Sequence, residues 1–451
     1  MRIAIIGSGH VGLVTGACLA TIGHHVTCTD LDKTLVDGLK ARRLPLYEPH
    51  LQAAVQHASG TGHLTFTSEN LDAARSAEAI FLCVGVPQLE SGDSDPSALD
   101  AAARQIAPAV TPSTLVIVRS TVPLQTGAQL KRLFAVYGGH QENDVHVAAN
   151  PQFLREGSAV EEFLHPDRIL VGVGDSKSEA TLRQIYAPIL EQDFPCPVHD
   201  GSCPSHRPPE LLVTNLESAE LIKHASNAFL AVKISYANVI ADLCEHLGGN
   251  VLEVTSAVGL DPRIGSRFLE AGIGFGGSRL PKDLRAFCGF SERVGVDPGI
   301  LQAAEEVNRR RLDLFMEKVQ RSLWVLMGKR IGLLGLAHKA DTDDIRGSPA
   351  IELFKRFSEA GAQVRAYDPR AMARARSAFP AMVCGADVYD VAQQADALIV
   401  ATDWPEFLNL DWKRIRDLMA RPAVFDGRNL LSPPQMKALG FEYHSVGRPD
   451  S

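Results

Sequence analysis

Arg2-Ile-Ala-Ile-Ile-Gly-Ser-Gly-His-Val-Gly12 stands at the head of the chain, and its reading decides the fold. The apolar run Ile3 to Ile6 predicts a buried strand, and the run breaks at Gly7-Ser8-Gly9. Gly7, Gly9 and Gly12 make the pattern Gly-x-Gly-x-x-Gly directly after that strand. Such glycines allow a tight turn, close approach of a pyrophosphate, and close packing of a helix whose amino terminus attracts anions. By itself the pattern is common; its surroundings give it meaning. A helix-like segment runs to Ile22, and a second strand-like run from His25 ends on Asp30, near the spacing of about 20 residues expected of an acid that bonds an adenosine ribose. A carboxylate there repels a ribose phosphate, so NAD is expected rather than NADP. The cofactor-binding candidates from this region are Gly7, Gly9, Gly12, Asp30 and Lys33.

Outward from this point, further strand-like runs at Ala79–Val84, Leu115–Arg119 and Val145–Ala149 alternate with helix-like segments, which implies a parallel sheet with crossover helices. A Pro/Gly/Cys-rich tract from about Phe194 to Pro209 reads as a linker. From Glu217 to Leu247 the apolar spacing becomes helical, through Leu221, Ile222, Ala225, Phe229, Val232 and Ile234. The last third repeats the logic of the first. Arg330-Ile-Gly-Leu-Leu-Gly335 echoes the opening strand and turn, and Gly361-Ala-Gln-Val-Arg-Ala-Tyr-Asp368 echoes Gly23-His-His-Val-Thr-Cys-Thr-Asp30. Ala395-Asp-Ala-Leu-Ile-Val-Ala401 likewise matches Ala77-Glu-Ala-Ile-Phe-Leu-Cys83. The expected architecture is α/β: two Rossmann-like doubly wound domains joined by a central helical domain with one long helix. The boundaries are placed at 1–205 for NAD binding, 206–318 for the helical domain and 319–451 for a second nucleotide-binding-like domain. At the place of the glycine pattern, the third domain has Gly335-Leu-Ala-His-Lys339. A nucleotide other than a second dinucleotide is therefore expected there, with Lys339 in reach of phosphate.

Composition narrows the partners. The 451 residues are 45% hydrophobic and 22% charged, with a net charge of -8, which is the profile of an ordinary globular chain rather than a disordered one. No basic excess suits nucleic acid or an anionic membrane. No apolar run approaches the roughly 18 residues a bilayer span needs, and no signal peptide is read, so a cytoplasmic protein is expected. Eight cysteines scattered over this length do not make a disulfide scaffold. Cys196, His199, Cys203 and His206 have a spacing that offers four zinc ligands, but the stretch is short and Pro-rich. It is read as a surface loop, and no metal site is expected.

Several segments, in order, resemble landmarks of the UDP-glucose and GDP-mannose dehydrogenases: Tyr47-Glu-Pro49, Ser120-Thr-Val-Pro123, Asn150-Pro-Gln-Phe-Leu-Arg-Glu-Gly157, Glu220-Leu-Ile-Lys-His-Ala-Ser-Asn227, Gly274-Phe-Gly-Gly-Ser278, Pro281-Lys-Asp283, Thr342-Asp-Asp-Ile-Arg346 and Asp426-Gly-Arg-Asn429. Pro262-Arg-Ile-Gly-Ser-Arg-Phe-Leu269 resembles the UDP-glucose branch more than the GDP-mannose branch. The resemblance implies oxidation of a sugar C6 alcohol by NAD, in the family twice over, with the aldehyde held on a cysteine as thiohemiacetal and then thioester. It implies that Lys223, Asn227 and Asp283 steer proton transfer and stabilise the developing oxyanion, that Glu156 is a second carboxylate of the site, and that Thr121 touches the cofactor. It further implies substrate contacts from Phe153, Leu154, Phe275 and Gly276, from Arg263 out of a neighbouring subunit, and from Lys339 and Arg428. A homodimer or larger homo-oligomer follows, with the long helix at its interface.

Two departures fall on the chemistry itself. The family's nucleophilic cysteine follows Gly-Gly-Ser, and here that position is Arg279. A guanidinium is protonated at any working pH and has no lone pair for an aldehyde, so the thioester route is closed there. Cys288 lies nine positions further on. The family's glutamate after Asn-Pro, the base for thioester hydrolysis, is Gln152, whose amide cannot take that proton. Smaller departures are Val86, His338 and Gly347, where the family usually has Thr, Phe and Glu. Arg279 either binds a substrate carboxylate or phosphate bidentately or forms a salt bridge with Glu156. Three functions stay open on these residues: two-electron or hydride-returning chemistry on a nucleotide sugar or related nucleoside, full oxidation by a thiol-free path, and a non-catalytic subunit that binds NAD and nucleotide sugar.

Overall fold

In the computed structural model, which describes residues 1–89, 94–199 and 208–449, the chain forms two compact units, Met1–Ala225 and Ser226–Ser451. The expected domain boundary at 205, together with Cys203 and His206, lies outside the described residues. No described helix is long and apolar enough to cross a membrane.

In the first unit, β1 (Arg2–Ile6) is the central strand, and its four apolar residues are all buried. A strand covered on both faces reads as a continuous apolar run, which is why Ile-Ala-Ile-Ile needs no alternation. Successive side chains still point to opposite faces. Ile3 and Ile5 join Phe81 and Ile117 in one core, while Ala4 and Ile6 join Ile80, Leu82, Val116 and Val118 in the other. Each fully buried Ile, Leu, Val or Phe among them stabilises the sheet by about 1.5–3 kcal/mol. Around β1 lie β2 (His25–Thr29), β3 (Leu64–Thr67), β4 (Ala79–Leu82), β5 (Leu115–Val118), β6 (His146–Ala149), β7 (Arg168–Gly172) and β8 (Glu210–Thr214). Their order is β3-β2-β1-β4-β5-β6-β7-β8. The pairs are parallel except β6 with β7, which meet antiparallel at Ala149 and Gly172. The first six positions reproduce the doubly wound order 3-2-1-4-5-6. The tract read as a linker thus leads into a last strand of the same sheet, because β8 pairs with β7 from Arg168↔Glu210 to Gly172↔Thr214.

The helix Leu216–Leu247 runs through the division between the units, and its 32 residues make it the long helix expected from the sequence. In the second unit, its later turns bury Ala237, Ala241 and Cys244 in one core with Phe315, Val319 and Leu323 of the helix Gly299–Leu323 and with Ile331, Leu333, Ile399 and Phe425 of the second sheet. That sheet has strands β9 (Arg330–Leu334), β10 (Gln363–Tyr367), β11 (Val383–Cys384), β12 (Ala397–Val400), β13 (Ala423–Asp426) and β14 (Glu442–His444). All pairs are parallel, in the order β11-β10-β9-β12-β13-β14. This is the same doubly wound order again. The other face buries Leu334, Leu398, Val400 and Val424. The architecture is therefore two parallel-sheet Rossmann-like domains joined by a central helical segment.

Candidate active site

Each glycine of the first turn has a measurable reason. Gly7 has φ +97°, a left-handed conformation that favours glycine. A Cβ on Gly12 would lie 1.8 Å from the Gly7 carbonyl oxygen, so the helix His10–Thr21 approaches the strand as closely as its backbone permits. A Cβ on Gly9 would meet nothing within 4 Å. Gly9 caps that helix without a side-chain hydrogen bond, and no acidic residue sits in the first turn. The positive end of the helix is thus left to a ligand anion, and the open space lies where a pyrophosphate must approach. Asp30 is half-buried; one oxygen accepts from the Ser8 amide at 2.9 Å and the other from the Asp32 amide at 3.1 Å. Lys33 is exposed at the start of the helix Lys33–Lys40. These residues fit a dinucleotide with a free ribose hydroxyl.

Glu48, to which the sequence reading gave no role, joins this turn to the segment bearing Gln152 and Glu156. Its buried carboxylate accepts from Gly157 N at 2.9 Å and Ala159 N at 2.8 Å, and it meets His10 Nε2 at 2.7 Å. It thereby caps the helix Ala159–Leu164 and ties it to the first residue of the dinucleotide helix. The other end of the segment is fixed by Asn150, which accepts from Arg119 at 2.7 Å and from the Tyr186 hydroxyl at 2.5 Å and donates to the Leu170 carbonyl at 2.8 Å. Between these anchors Gln152 is buried, its amide oxygen accepting from Leu154 N at 2.7 Å. Leu154 and Glu156 are buried too.

The Phe153 ring takes the Arg168 guanidinium at 4.4 Å and the Lys223 ammonium at 5.0 Å on its faces. Lys223 is buried, and the first turns of its helix are held by two neighbours. The Glu220 carboxylate accepts from Gln125 N at 2.6 Å and Gly127 N at 2.8 Å, at the start of the helix Thr126–Gly138. Burial raises the Glu220 pKa, and those two bonds oppose the rise. His224 Nε2 donates to the Val122 carbonyl at 2.8 Å. Thr121, half-buried, lies in the loop so anchored.

In the second unit the sequence pair Asn227 and Asp283 meets directly, the Asn227 amide donating to Asp283 Oδ2 at 2.6 Å. Asp283 is 1% exposed, inside the first turn of the helix Leu280–Arg293. Lys282, a residue given no role from the sequence, sits 3.9 Å from Asp283 Oδ1. Burial lowers its pKa; the Asp283 charge opposes this and the Arg279 charge adds to it. Arg279 is the cap residue of that helix, half-buried, and its carbonyl accepts from Asp283 N at 2.8 Å. Cys288 is nine residues further along the helix, about 13 Å of rise from the Arg279 position. Its thiol is pushed up to about 11 by burial and by Glu305 and Glu292.

The loop preceding Arg279 is clamped by Asn308, also missed from the sequence, which accepts from Phe275 N at 2.8 Å and donates to Phe275 O at 3.1 Å. A Cβ on Gly276 would stand 2.1 Å from the Gly347 carbonyl oxygen. Arg428 braces the same loop, donating to the carbonyls of Gly274 at 3.0 Å and Ala401 at 2.9 Å. Lys339 is half-buried beyond the β9 turn. Arg263 is exposed and paired with Asp261 at 2.6 Å. Asp368, the counterpart of Asp30, is fully buried and occupied by the amides of Leu336, Ala337, Arg370 and Ala371 and by Trp404 Nε1.

A parallel sheet with an anion-ready glycine turn and an acid closing the second strand defines a dinucleotide-dependent oxidoreductase fold. Three family models match in succession: the NAD binding domain of the UDP-glucose/GDP-mannose dehydrogenase family over residues 1–190, its central domain over 217–310 and its UDP binding domain over 332–433. The chain is 40% identical to a UDP-glucose 6-dehydrogenase of Rickettsia felis, across 99% of this chain and 96% of that one. Among solved structures it resembles a UDP-glucose dehydrogenase from Pyrobaculum islandicum, with TM-score 0.88 and 35% identity over 99% of this chain and 97% of the other. It also resembles a UDP-D-ManNAc dehydrogenase from Pyrococcus horikoshii, with TM-score 0.85 and 27% identity over the whole of both chains. The chain belongs to the UDP-glucose/GDP-mannose dehydrogenase family, a family of NAD-dependent oxidoreductases.

Proposed function

We propose that this chain oxidises a nucleotide sugar, or a related nucleoside, by two electrons with NAD, and that it stops there or returns the hydride in an elimination or epimerisation. NAD, when bound, accepts the hydride leaving the alcohol carbon. The single observation that carries the reading is Arg279 at the head of the helix Leu280–Arg293, the position at which the family resemblance implies a thiol. Its neighbour in sequence, Cys288, stays protonated at neutral pH and lies too far along the helix to replace it. Gln152 adds to the case, because its amide oxygen already accepts from Leu154 N and its nitrogen is no base.

In this reading the domains divide the work as the sequence suggests: 1–205 for NAD, 206–318 for the helical centre and 319–451 for the nucleotide sugar. Gly7, Gly9, Gly12, Asp30, Lys33 and Thr121 serve the cofactor. Asp283, oriented by Asn227, steers the hydroxyl proton as the hydride departs. The Lys223 ammonium favours the developing oxyanion, and Glu156 is a further carboxylate of the site. Phe153, Leu154, Arg263, Phe275, Gly276, Lys339 and Arg428 hold or shape the substrate pocket, Arg428 through the Gly274 carbonyl. Arg279 faces a phosphate or carboxylate of the substrate. A carbonyl made beside a C–H acidifies it, and this permits loss or inversion of a neighbouring substituent before the hydride returns. A second copy of the chain covers the exposed stripe Phe229, Tyr236, Leu243 and Leu247 of the long helix, which supports a homodimer or larger homo-oligomer in the cytoplasm.

The test is to incubate purified protein with NAD and a panel of UDP-sugars while counting reduced nicotinamide and weighing products. One reduced cofactor per product, a mass change with none, or a sugar isomer of unchanged mass resolved by chromatography with none, is expected; two per sugar would overturn the proposal. The double variant Arg279→Cys with Gln152→Glu should gain uronic-acid formation. A folded, NAD-binding double variant that stays silent would count against a UDP-hexose pocket.

A further inference from the structure

We infer that His165, Cys196 and His199 form a binding site for a zinc-class divalent ion, outside the residues assigned to cofactor and substrate. The sequence reading treated the stretch after Phe194 as a plain loop, and it did not include His165, 31 residues earlier in the chain. His165 follows the last residue of the helix Ala159–Leu164, whereas Cys196 and His199 lie in the segment after the helix Ser176–Glu191. The fold brings one thiol and two imidazoles together: His165 Nε2 is 3.2 Å from Cys196 Sγ, and His199 Nδ1 is 3.5 Å from the same sulfur. All three ligand atoms lie within 4.8 Å of one another, and all three residues are half-buried, so an ion has a route in.

The two nitrogen-to-sulfur separations match those of a coordination shell. With zinc bonds of about 2.3 Å to sulfur and 2.0–2.1 Å to nitrogen, tetrahedral geometry sets neighbouring S and N ligands about 3.5 Å apart. The protonation pattern agrees. Gln192 donates its amide nitrogen to the Ile189 carbonyl at 2.6 Å, which turns its amide oxygen toward His165 Nδ1 at 3.1 Å. An amide oxygen only accepts, so His165 carries its proton on Nδ1, and the Nε2 lone pair faces the sulfur. An imidazole buttressed at one nitrogen, with the other directed at a thiol, is the usual arrangement of a metal-binding histidine. Phe194 walls the site, its ring centroid 5.6 Å from that of His165. A bound ion would clip the segment carrying Cys196 and His199 to the end of the Ala159–Leu164 helix. On binding, Cys196 loses its proton to solvent and coordinates as thiolate; no electron is transferred.

The experiment uses the full chain stripped by a chelator and titrated with cobalt(II), followed by zinc(II). One cobalt per chain is expected, with a thiolate-to-cobalt charge-transfer band and the intense visible bands of a four-coordinate ion, all abolished by zinc. Cys196→Ser and His165→Ala should remove the charge-transfer band while NAD binding persists, and Cys384→Ser should leave it intact. Gln192→Ala should weaken binding about 10- to 100-fold. Independently of any variant, zinc should slow alkylation of Cys196 in the native protein by about tenfold or more, read on the Cys196 peptide by mass spectrometry. Absence of the charge-transfer band, its survival in Cys196→Ser, or an unchanged alkylation rate would each overturn the proposal.

Discussion

Gly9 and Gly12 look alike in the sequence, but a methyl group at each should have opposite consequences. On Gly12 the added carbon would stand 1.8 Å from the Gly7 carbonyl oxygen, about 1.2 Å inside the 3.0 Å that such contacts respect. The partner is backbone at the centre of the sheet, so strand and helix must separate, an overpacking cost of about 1–3 kcal/mol or more. At about 2–4 °C per kcal/mol for a domain of this size, Gly12→Ala should lower the melting temperature by several degrees. On Gly9 the methyl meets no protein atom within 4 Å, and the backbone there, φ -68° and ψ -170°, suits any residue. Its stability change should stay within about 1 kcal/mol. The methyl instead occupies the approach of the pyrophosphate, so NAD affinity should fall at least tenfold, about 1.4 kcal/mol. Thermal unfolding without ligand and calorimetric titration with NAD separate the two effects. Unchanged NAD affinity in Gly9→Ala would refute the claim that the dinucleotide crosses the helix terminus at this residue.

Two other perturbations test the scaffold. Glu48→Gln replaces a buried carboxylate that satisfies the Gly157 and Ala159 amides and meets His10, and it should cost about 2–3 kcal/mol in urea unfolding. A loss under 0.5 kcal/mol, roughly the scatter of surface substitutions, would show that these amides are satisfied otherwise. Burial pushes the Glu442 carboxyl up, but hydrogen bonds from His444, Ser322 and Arg421 outweigh it and hold its pKa at about 2, below the ordinary 4.5. The stability it contributes is therefore present above pH 4.5 and lost as pH falls toward about 2, so the gap in melting temperature between the native protein and Glu442→Gln should close over that window. A gap independent of pH would remove this assignment.

The apolar runs around β1, β4, β5 and β9 were legible because strands covered on both faces must be apolar throughout. β3, only Leu-Thr-Phe-Thr, and β8, beyond a Pro- and Cys-rich tract, carried no comparable signal. At the site, Asn227 and Asp283 were named from the sequence and do meet, whereas Glu48, Lys282 and Asn308 received no role. Glu48 and Asn308 act at long range: Glu48 reaches amides more than a hundred residues away, and Asn308, on the helix Gly299–Leu323, holds Phe275 in the loop before Arg279, whereas Lys282 lies beside its chain neighbour Asp283. Spacing along a chain reports helix faces and turns but not such pairings. The same limit hid His165, whose partner Cys196 stood in view.

The two sheets share a strand order, but their acids have diverged in availability. Asp30 is half-buried, whereas Asp368 has its oxygens committed to four amides and an indole. Grafting three glycines onto the turn after β9 would therefore not create a second dinucleotide pocket. The engineer would also have to dismantle the carboxylate's internal bonds, and the turn they hold in shape would go with them.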